Sequence, residues 1–295
     1  MQMTCILENN SLLYDYFMII GFLGKGGSGK SSVASQMAFF EQEQGKSILA
    51  IDADHNLDLS FNLSAGSLPD MNYLSQSLPS LLNATGNVTK YDQVFLEETD
   101  IRFRLSPLSK EIEDYSVLLQ NNIRLMAAGP QTQEVLHGQK CSHSLTTPLK
   151  VLLPLLELNN DEVVIIDEKA GADGVSTGVV TGMDAGVIVC EPSLHSVKTA
   201  KQIAELMDFY ETPYVFVGNK ITSSEDEKFI ITALEQNPTT FLPENTNIKR
   251  NPSVLVSDWQ KNLSLVTDAV KQSFSKSRLE RTTKKFSRNQ AFAQH

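Results

Sequence analysis

The sequence has little of what an extracellular or membrane-spanning protein needs. Its 295 residues include three cysteines, Cys5, Cys141 and Cys190, which are too few and too scattered for a disulfide framework. The first residues lack the basic start and apolar core of a signal peptide, and no apolar run is as long as a membrane span. These absences predict a cytoplasmic protein. The length of 295 residues fits one large domain or two small ones.

Basic residues are scarce outside the C-terminal tail. The formal net charge is −10, and residues 270–295 carry seven basic residues and one acidic residue, so the tail has a charge of +6 and the remainder −16. An acidic body disfavours non-specific DNA binding by the main surface. The tail is either an amphipathic helix that binds acidic lipid or a solvated segment, and its few apolar residues favour the second.

Short apolar runs alternate with amphipathic stretches along most of the chain. This pattern predicts an α/β fold in which a mostly parallel, twisted sheet carries helices on both faces. Ligands of such sheets bind outside the carboxyl ends of the strands. The segment between residues 63 and 123 is less regular and is predicted to be an insertion with an edge hairpin at 92–106. The predicted strands are Met18–Gly24, Ser47–Asp54, Glu162–Glu168, Ala185–Glu191 and Tyr214–Lys220.

Residues 24–31, GKGGSGKS, match the pattern G-x-x-x-x-G-K-[ST] between a predicted strand and a predicted helix. The glycines let backbone N–H groups turn toward phosphates, and the helix adds its positive dipole end. Lys30 is predicted to lie along the β- and γ-phosphates, and Ser31 to bind Mg²⁺. The predicted phosphate-binding residues are Gly26, Gly27, Ser28, Gly29, Lys30, Ser31 and Ser32.

Lys25 is a second lysine at the mouth of this loop. With it the loop resembles the deviant Walker A class, K-G-G-x-G-K-[ST], which includes MinD and ParA partition ATPases, nitrogenase iron protein, arsenical-pump ATPases and CooC-type nickel insertion ATPases. The resemblance implies a three-layer P-loop NTPase fold, Mg²⁺-dependent ATP hydrolysis and a homodimer in the ATP state. It also implies that Lys25 crosses the dimer interface to the partner's phosphates, so that Lys25 and Lys30 are both catalytic.

The resemblance extends from Met18 to about Val270 and divides the chain into three parts. Residues 1–17 form an extension of unknown role, 18–269 the ATPase domain, and 270–295 the basic tail.

Carboxylates at the ends of two predicted strands complete the site. Asp54 resembles the family's switch I aspartate, which positions the attacking water, and it is the third predicted catalytic residue. Asp52 is predicted to support the waters of Mg²⁺, and Asp167, which ends a Walker B-like strand, to hold Mg²⁺ through water. Gly171 resembles switch II, which implies a backbone N–H near the γ-phosphate.

Three further residues are predicted to surround the base. Asn219 ends a strand, but Thr222 stands where the guanine motif N-K-x-D has its aspartate, so guanine N1 and N2 lack their usual acceptor. The segment Phe241–Ile248 resembles the family's P-x-D loop, which lines the adenine pocket and here supplies Pro243 and Asn245. These observations favour ATP over GTP.

Three segments resemble CooC-type proteins in particular. DEKAG at 167–171 resembles their D-x-E-A-G switch II, and EPSLHSVKTA at 191–200 resembles their E-P-[SG]-x-x-S-[VL]-x-T-A. Residues 138–156 stand where those proteins carry a metal-binding C-x-C element. Here the pair is Cys141 and His143, whose side chains both suit Ni²⁺ or Zn²⁺. The loop either binds such a metal across a dimer axis or holds these residues without a metal.

Two functions therefore remain open. The first is a dimeric ATP-driven switch, a CooC-like maturation ATPase that delivers metal to a client metalloenzyme. The alternative is a ParA/MinD-like partition or positioning ATPase that acts on DNA or an acidic membrane. An electron-transfer subunit like nitrogenase iron protein is disfavoured, since no cysteine stands near the DEKAGAD switch to hold an iron–sulfur cluster.

Overall fold

The computed structural model describes residues 18–86, 88–95, 99–131, 137, 142–273 and 277–293. Within them an eight-stranded sheet has the order β10-β9-β8-β1-β7-β2-β5-β4, and all neighbours are parallel except β4 and β5. A separate parallel pair joins β3 to β6. The strands are β1 (Met18–Gly24), β2 (Ser47–Asp52), β3 (Phe103–Arg104), β4 (Val117–Leu118), β5 (Ile123–Ala127), β6 (Leu156–Glu157), β7 (Glu162–Asp167), β8 (Ala185–Cys190), β9 (Tyr214–Ile221) and β10 (Thr240–Pro243).

Helices cover both faces of the sheet. This explains why β1, β7 and β8 are near-continuous apolar runs with every residue buried. The helices are α1 (Lys30–Glu43), α2 (Asp58–Leu63), α3 (Leu78–Ala84), α4 (Lys110–Glu113), α5 (Leu149–Leu155), α6 (Ala172–Ser176), α7 (Leu194–Phe209), α8 (Ser224–Leu234), α9 (Thr246–Arg250), α10 (Gln260–Ser273) and α11 (Arg278–Ala293).

Alternate residues of each strand serve two separate cores, because successive side chains point to opposite faces. On one face Ile19 and Leu23 of β1 pack with residues of α5, α7 and α11. On the other face Ile20 and Phe22 pack with residues of α1 and α10. The predicted three-layer α/β arrangement is therefore confirmed. In the described residues no helix is both long and apolar enough to cross a bilayer.

The predicted edge hairpin is wrong in position. The described part of 92–106 contributes Phe103–Arg104, which pairs with Leu156–Glu157 outside the main sheet. The two edges of the main sheet are instead β10 and β4, and β4 pairs antiparallel with β5.

The prediction of a solvated tail is also wrong, since residues 278–293 form α11, which packs on the body. Phe286 is 4% exposed and stacks on Phe95. Nη1 of Arg278 lies 2.8 Å from both carboxylate oxygens of Asp184, and Asp184 also accepts a hydrogen bond from the N–H of Ile19. The predicted domain boundary at residue 270 falls inside α10.

Candidate functional site

The phosphate loop lies between β1 and α1, at the carboxyl ends of the central strands. Gly27 and Gly29 have φ values of 83° and 91°, the left-handed region that favours glycine. A Cβ on Gly29 would lie 2.3 Å from Nδ2 of Asn219, so a larger residue has no room there. The loop is therefore a glycine-dependent turn whose backbone approaches its neighbours closely, as a phosphate cradle requires.

Lys30 lies at the centre of the site and brings two predicted carboxylates together. Its Nζ is 3.3 Å from Oδ2 of Asp54 and 3.2 Å from Oδ1 of Asp167, and the residue is 6% exposed. Burial lowers the pKa of Lys30, but the charges of Asp167 and Asp54 outweigh it, and the net pKa is raised. The ammonium is thus held charged, within 3.5 Å of the Ser31 hydroxyl.

The donor groups around Lys30 fit a magnesium–nucleotide complex. Oδ2 of Asp167 and Oγ of Ser28 are buried and have no hydrogen-bond partner within the described structure. Burial raises the pKa of Asp167, because a buried carboxylate loses its water without enough compensation. One carboxylate, the Ser31 hydroxyl and phosphate oxygens are the ligands that Mg²⁺ prefers. Mg²⁺ bound here would relieve the unpaired Asp167 oxygen.

Asp52 forms hydrogen bonds within the protein that the sequence did not predict. Its Oδ2 accepts hydrogen bonds from the backbone N–H and the hydroxyl of Ser60, both at 2.8 Å, and its Oδ1 accepts from the N–H of Asp54. Burial and the charge of Asp167 raise the pKa of Asp52 to about 7. In this conformation Asp52 fixes the loop that carries Asp54, and its contact with the waters of Mg²⁺ stays a prediction.

Lys25 lies at the rim of the site, beside two charged residues that sequence reasoning gave no role. Its Nζ is 3.8 Å from Oε1 of Glu191 and donates to the carbonyl of Gly26 at 3.1 Å. The other Glu191 oxygen lies 2.7 Å from Nζ of Lys220, which also donates to the carbonyl of Gly27. Glu191 therefore stands between two lysines at the phosphate loop. The position of Glu191 directly after β8 is the feature of the sequence from which its place at the site could have been predicted.

Asn219 and Gly171 both contact the backbone of the phosphate loop. Nδ2 of Asn219 donates to the carbonyl of Ser28 at 2.9 Å, and the N–H of Gly171 donates to the carbonyl of Gly24 at 2.8 Å. Both residues therefore lie at the predicted site. Their contacts with the base and the γ-phosphate stay predictions.

Pro243 is the last residue of the edge strand β10, and Asn245 follows two residues later. The Pro243 carbonyl accepts from the indole N–H of Trp259 at 3.1 Å, and Asn245 caps α9 by accepting from the N–H of Asn247. These contacts fix the shape of the segment that was predicted to line the base.

The predicted nickel or zinc loop lies largely outside the described residues, which include neither Cys141 nor the His143 side chain. Among the residues that are described, no group of three or more His, Cys, Asp or Glu side chains could hold a metal ion. The metal prediction for this loop stays untested.

Comparison with known proteins agrees with the geometry of the site. Residues 19–270 match the CobQ/CobB/MinD/ParA nucleotide binding domain. The carbon monoxide dehydrogenase accessory protein CooC of Rhodospirillum rubrum is 30% identical over 220 residues, which cover 74% of this chain and 80% of that protein. An ATP-binding protein of Methanocaldococcus jannaschii is 25% identical over 236 residues, which cover 79% of this chain and 90% of that protein.

Among solved structures, the cell division ATPase MinD of Pyrococcus furiosus superposes with a TM-score of 0.58 at 16% identity, covering 86% of this chain and 98% of that one. At this identity the similarity shows the fold alone, and the fold is the predicted one.

Proposed function

Because the chain belongs to the CobQ/CobB/MinD/ParA family of nucleotide-binding proteins, we propose that it is a Mg²⁺-dependent ATPase that works as a dimeric switch in metalloenzyme maturation. The observation that carries the ATPase proposal is the position of Lys30 between Asp54 and Asp167, directly after the glycine turn. The similarity to CooC, whose name ties it to carbon monoxide dehydrogenase, supports the maturation role.

In the proposed mechanism each residue of the site has one task. Lys30 exchanges its two carboxylate partners for the β- and γ-phosphates, which frees Asp54 to orient the attacking water. Asp167 and Ser31 would hold Mg²⁺, which neutralises charge on the phosphates. The N–H groups of the loop bind the phosphate oxygens at the start of α1.

Lys25 is proposed to bind the γ-phosphate of the nucleotide in the partner subunit. Its side chain is 37% exposed, and its ion pair with Glu191 is long, at 3.8 Å. A half-exposed pair of this kind contributes little to stability, so Lys25 can leave Glu191 at small cost. A cation that reaches the γ-phosphate from a second subunit acts in the manner of an arginine finger.

The test compares Lys25→Ala with Lys198→Ala, which removes an exposed lysine from α7. Wild type and Lys198→Ala are expected to hydrolyse ATP and to form an ATP-dependent dimer in sedimentation experiments. Lys25→Ala is expected to lose about a thousandfold or more in ATP turnover, within the range seen for such cations. Full turnover by Lys25→Ala would contradict the role in trans, whereas no turnover by wild type would contradict the ATPase itself.

The maturation role is tested by titrating wild type and Cys141→Ala with Ni²⁺ and Zn²⁺, with and without ATP. Binding that is lost in Cys141→Ala supports metal delivery, and unchanged binding contradicts it.

The positioning alternative, which acts on DNA or an acidic membrane, has less support. The basic segment that would contact such a surface forms α11, whose Arg278 and Phe286 are engaged with the body of the protein.

A further inference from the structure

A second pocket lies away from the phosphate loop, where α11 meets the ends of α6 and α7. Its volume is about 220 Å³, large enough for a small organic molecule. The residues on which the argument rests are Tyr91, Lys150, Thr177, Tyr210, Lys285 and Phe286.

Two lysines point their ammonium groups at the aromatic walls of this pocket. Nζ of Lys285 lies 5.6 Å from the ring centre of Tyr210 and 5.3 Å from that of Phe286. Nζ of Lys150 lies 5.1 Å from the ring centre of Tyr91. These cation–π contacts compensate part of the lost hydration of the two lysines.

In the part of the chain that the structure describes, neither lysine forms an ion pair with a carboxylate, although the charge of Glu168 acts on Lys150. Lys285 donates one hydrogen bond, to the carbonyl of Thr177 at 2.7 Å. The acidic residue that lines the pocket, Glu211, is paired with Lys284. Ammonium groups carry three donors each, so both lysines keep unused donor capacity toward the cavity.

This arrangement costs the fold stability. Burial, together with the smaller effect of the Lys150 charge, lowers the pKa of Lys285 to about 7. Burial also lowers the pKa of Lys150, which the charge of Glu168 partly offsets. Apolar side chains of similar length would be held at lower cost. The two lysines therefore do not stabilise the fold, and their position in a half-buried aromatic pocket indicates a role in ligand binding.

We propose that this pocket binds a small organic anion, whose phosphate or carboxylate pairs with Lys150 and Lys285 while its apolar body lies against the aromatic rings. A ligand that draws Lys285 away from Thr177 acts on the segment directly after α6. That helix follows Gly171, whose N–H holds the carbonyl of Gly24 in the phosphate loop. The anion is thus placed to influence the nucleotide cycle.

Phenyl phosphate is the probe, measured by isothermal titration calorimetry on the full chain. Saturating Mg-ADP is present so that the phosphate loop does not take up the probe. One binding site is expected in wild type, and Lys285→Met and Lys150→Met should each weaken binding at least tenfold, because each removes a charge-assisted contact. The matched control Lys261→Met removes an exposed lysine from α10 and should bind as wild type does.

Inorganic phosphate and benzoate are titrated into the protein in the same way as two further ligands. Tighter binding of phenyl phosphate than of inorganic phosphate supports an organic ligand that uses the rings. Equal binding of the two contradicts that part of the proposal.

Thermal unfolding separates ligand binding from a structural role. Lys285→Met should melt at the wild-type temperature or above it, because the charge is a cost to the fold. The proposal is overturned if phenyl phosphate gives no heat of binding. It is equally overturned if both methionine variants bind phenyl phosphate as wild type does. These results do not depend on ATP turnover, so this proposal and the proposed ATPase can fail separately.

Discussion

The Glu168→Gln substitution tests the electrostatics of the site through the pH dependence of stability. Glu168 is 1% exposed and directly follows Asp167. Its Oε2 accepts a hydrogen bond from the N–H of Lys169 at 3.2 Å, while Oε1 is buried with no hydrogen-bond partner in the described residues. Burial raises the pKa of Glu168 from 4.5 to about 7, although the hydrogen bond from the Lys169 N–H and the charge of Lys30 act against it. The folded protein therefore resists ionisation of this group.

The magnitude follows from linkage. A pKa raised in the folded state costs nothing below pH 4.5, where both states are protonated, and the cost grows as the pH rises toward 7. Each pH unit between the two values contributes about 1.4 kcal/mol, so the full cost is about 3 kcal/mol. Glutamine keeps the acceptor for the Lys169 N–H and carries no charge. Glu168→Gln is therefore expected to be more stable than wild type by about 1 kcal/mol at pH 5 and about 3 kcal/mol at pH 8.

The assay is urea unfolding at both pH values, without nucleotide or Mg²⁺, followed by circular dichroism. Groups that titrate equally in both proteins contribute equally to the two unfolding free energies, so their contributions cancel in the difference. Glu205→Gln, an exposed change on α7, serves as the control and should show no such dependence on pH. A stability difference between Glu168→Gln and wild type that is the same at pH 5 and pH 8 would refute the assigned cost of ionisation.

Two further substitutions probe the loop and the last helix. Gly29→Ala places a methyl group 2.3 Å from Nδ2 of Asn219 at a φ of 91°, and we expect it to weaken ATP binding more than tenfold by calorimetry. Gly45→Ala, with a φ of 82° and open space around the new methyl group, is the control and should bind ATP normally. Arg278→Ala leaves Asp184 without its ion pair in a site that is 14% exposed, so urea unfolding should show a loss of about 3 kcal/mol. A loss under about 1 kcal/mol would mean that the pair behaves as an exposed one.

The strands and the phosphate loop were predictable because their signals are local. An apolar run such as Met18–Gly24 and the motif after it need no knowledge of distant residues. The loop glycines, Lys30 and Asp54 could be named for the same reason. The pairing of Glu191 with Lys25 and Lys220 was missed, since it depends on how three loops meet at the end of the sheet.

The helix at 278–293 was missed for a different reason. Counting apolar residues gave too few to hold it on the body, yet much of its attachment is polar. Arg278 binds Asp184, and the guanidinium of Arg281 donates to the carbonyls of Thr181 and Met183. A sequence shows the charge of such residues but not the buried acceptors that they reach.

The Arg278–Asp184 pair also affects the folding of the chain during its synthesis on the ribosome. Asp184 follows Ile19 by 165 positions and precedes Arg278 by 94. At about 5–20 residues per second, a ribosome needs roughly 5–20 s to add the arginine after the aspartate. Throughout that interval the nascent chain contains Ile19 and Asp184 but not the arginine that pairs with Asp184 in the folded protein. Nascent chains stalled between these two points should be cut by proteases more readily than those that have passed the second.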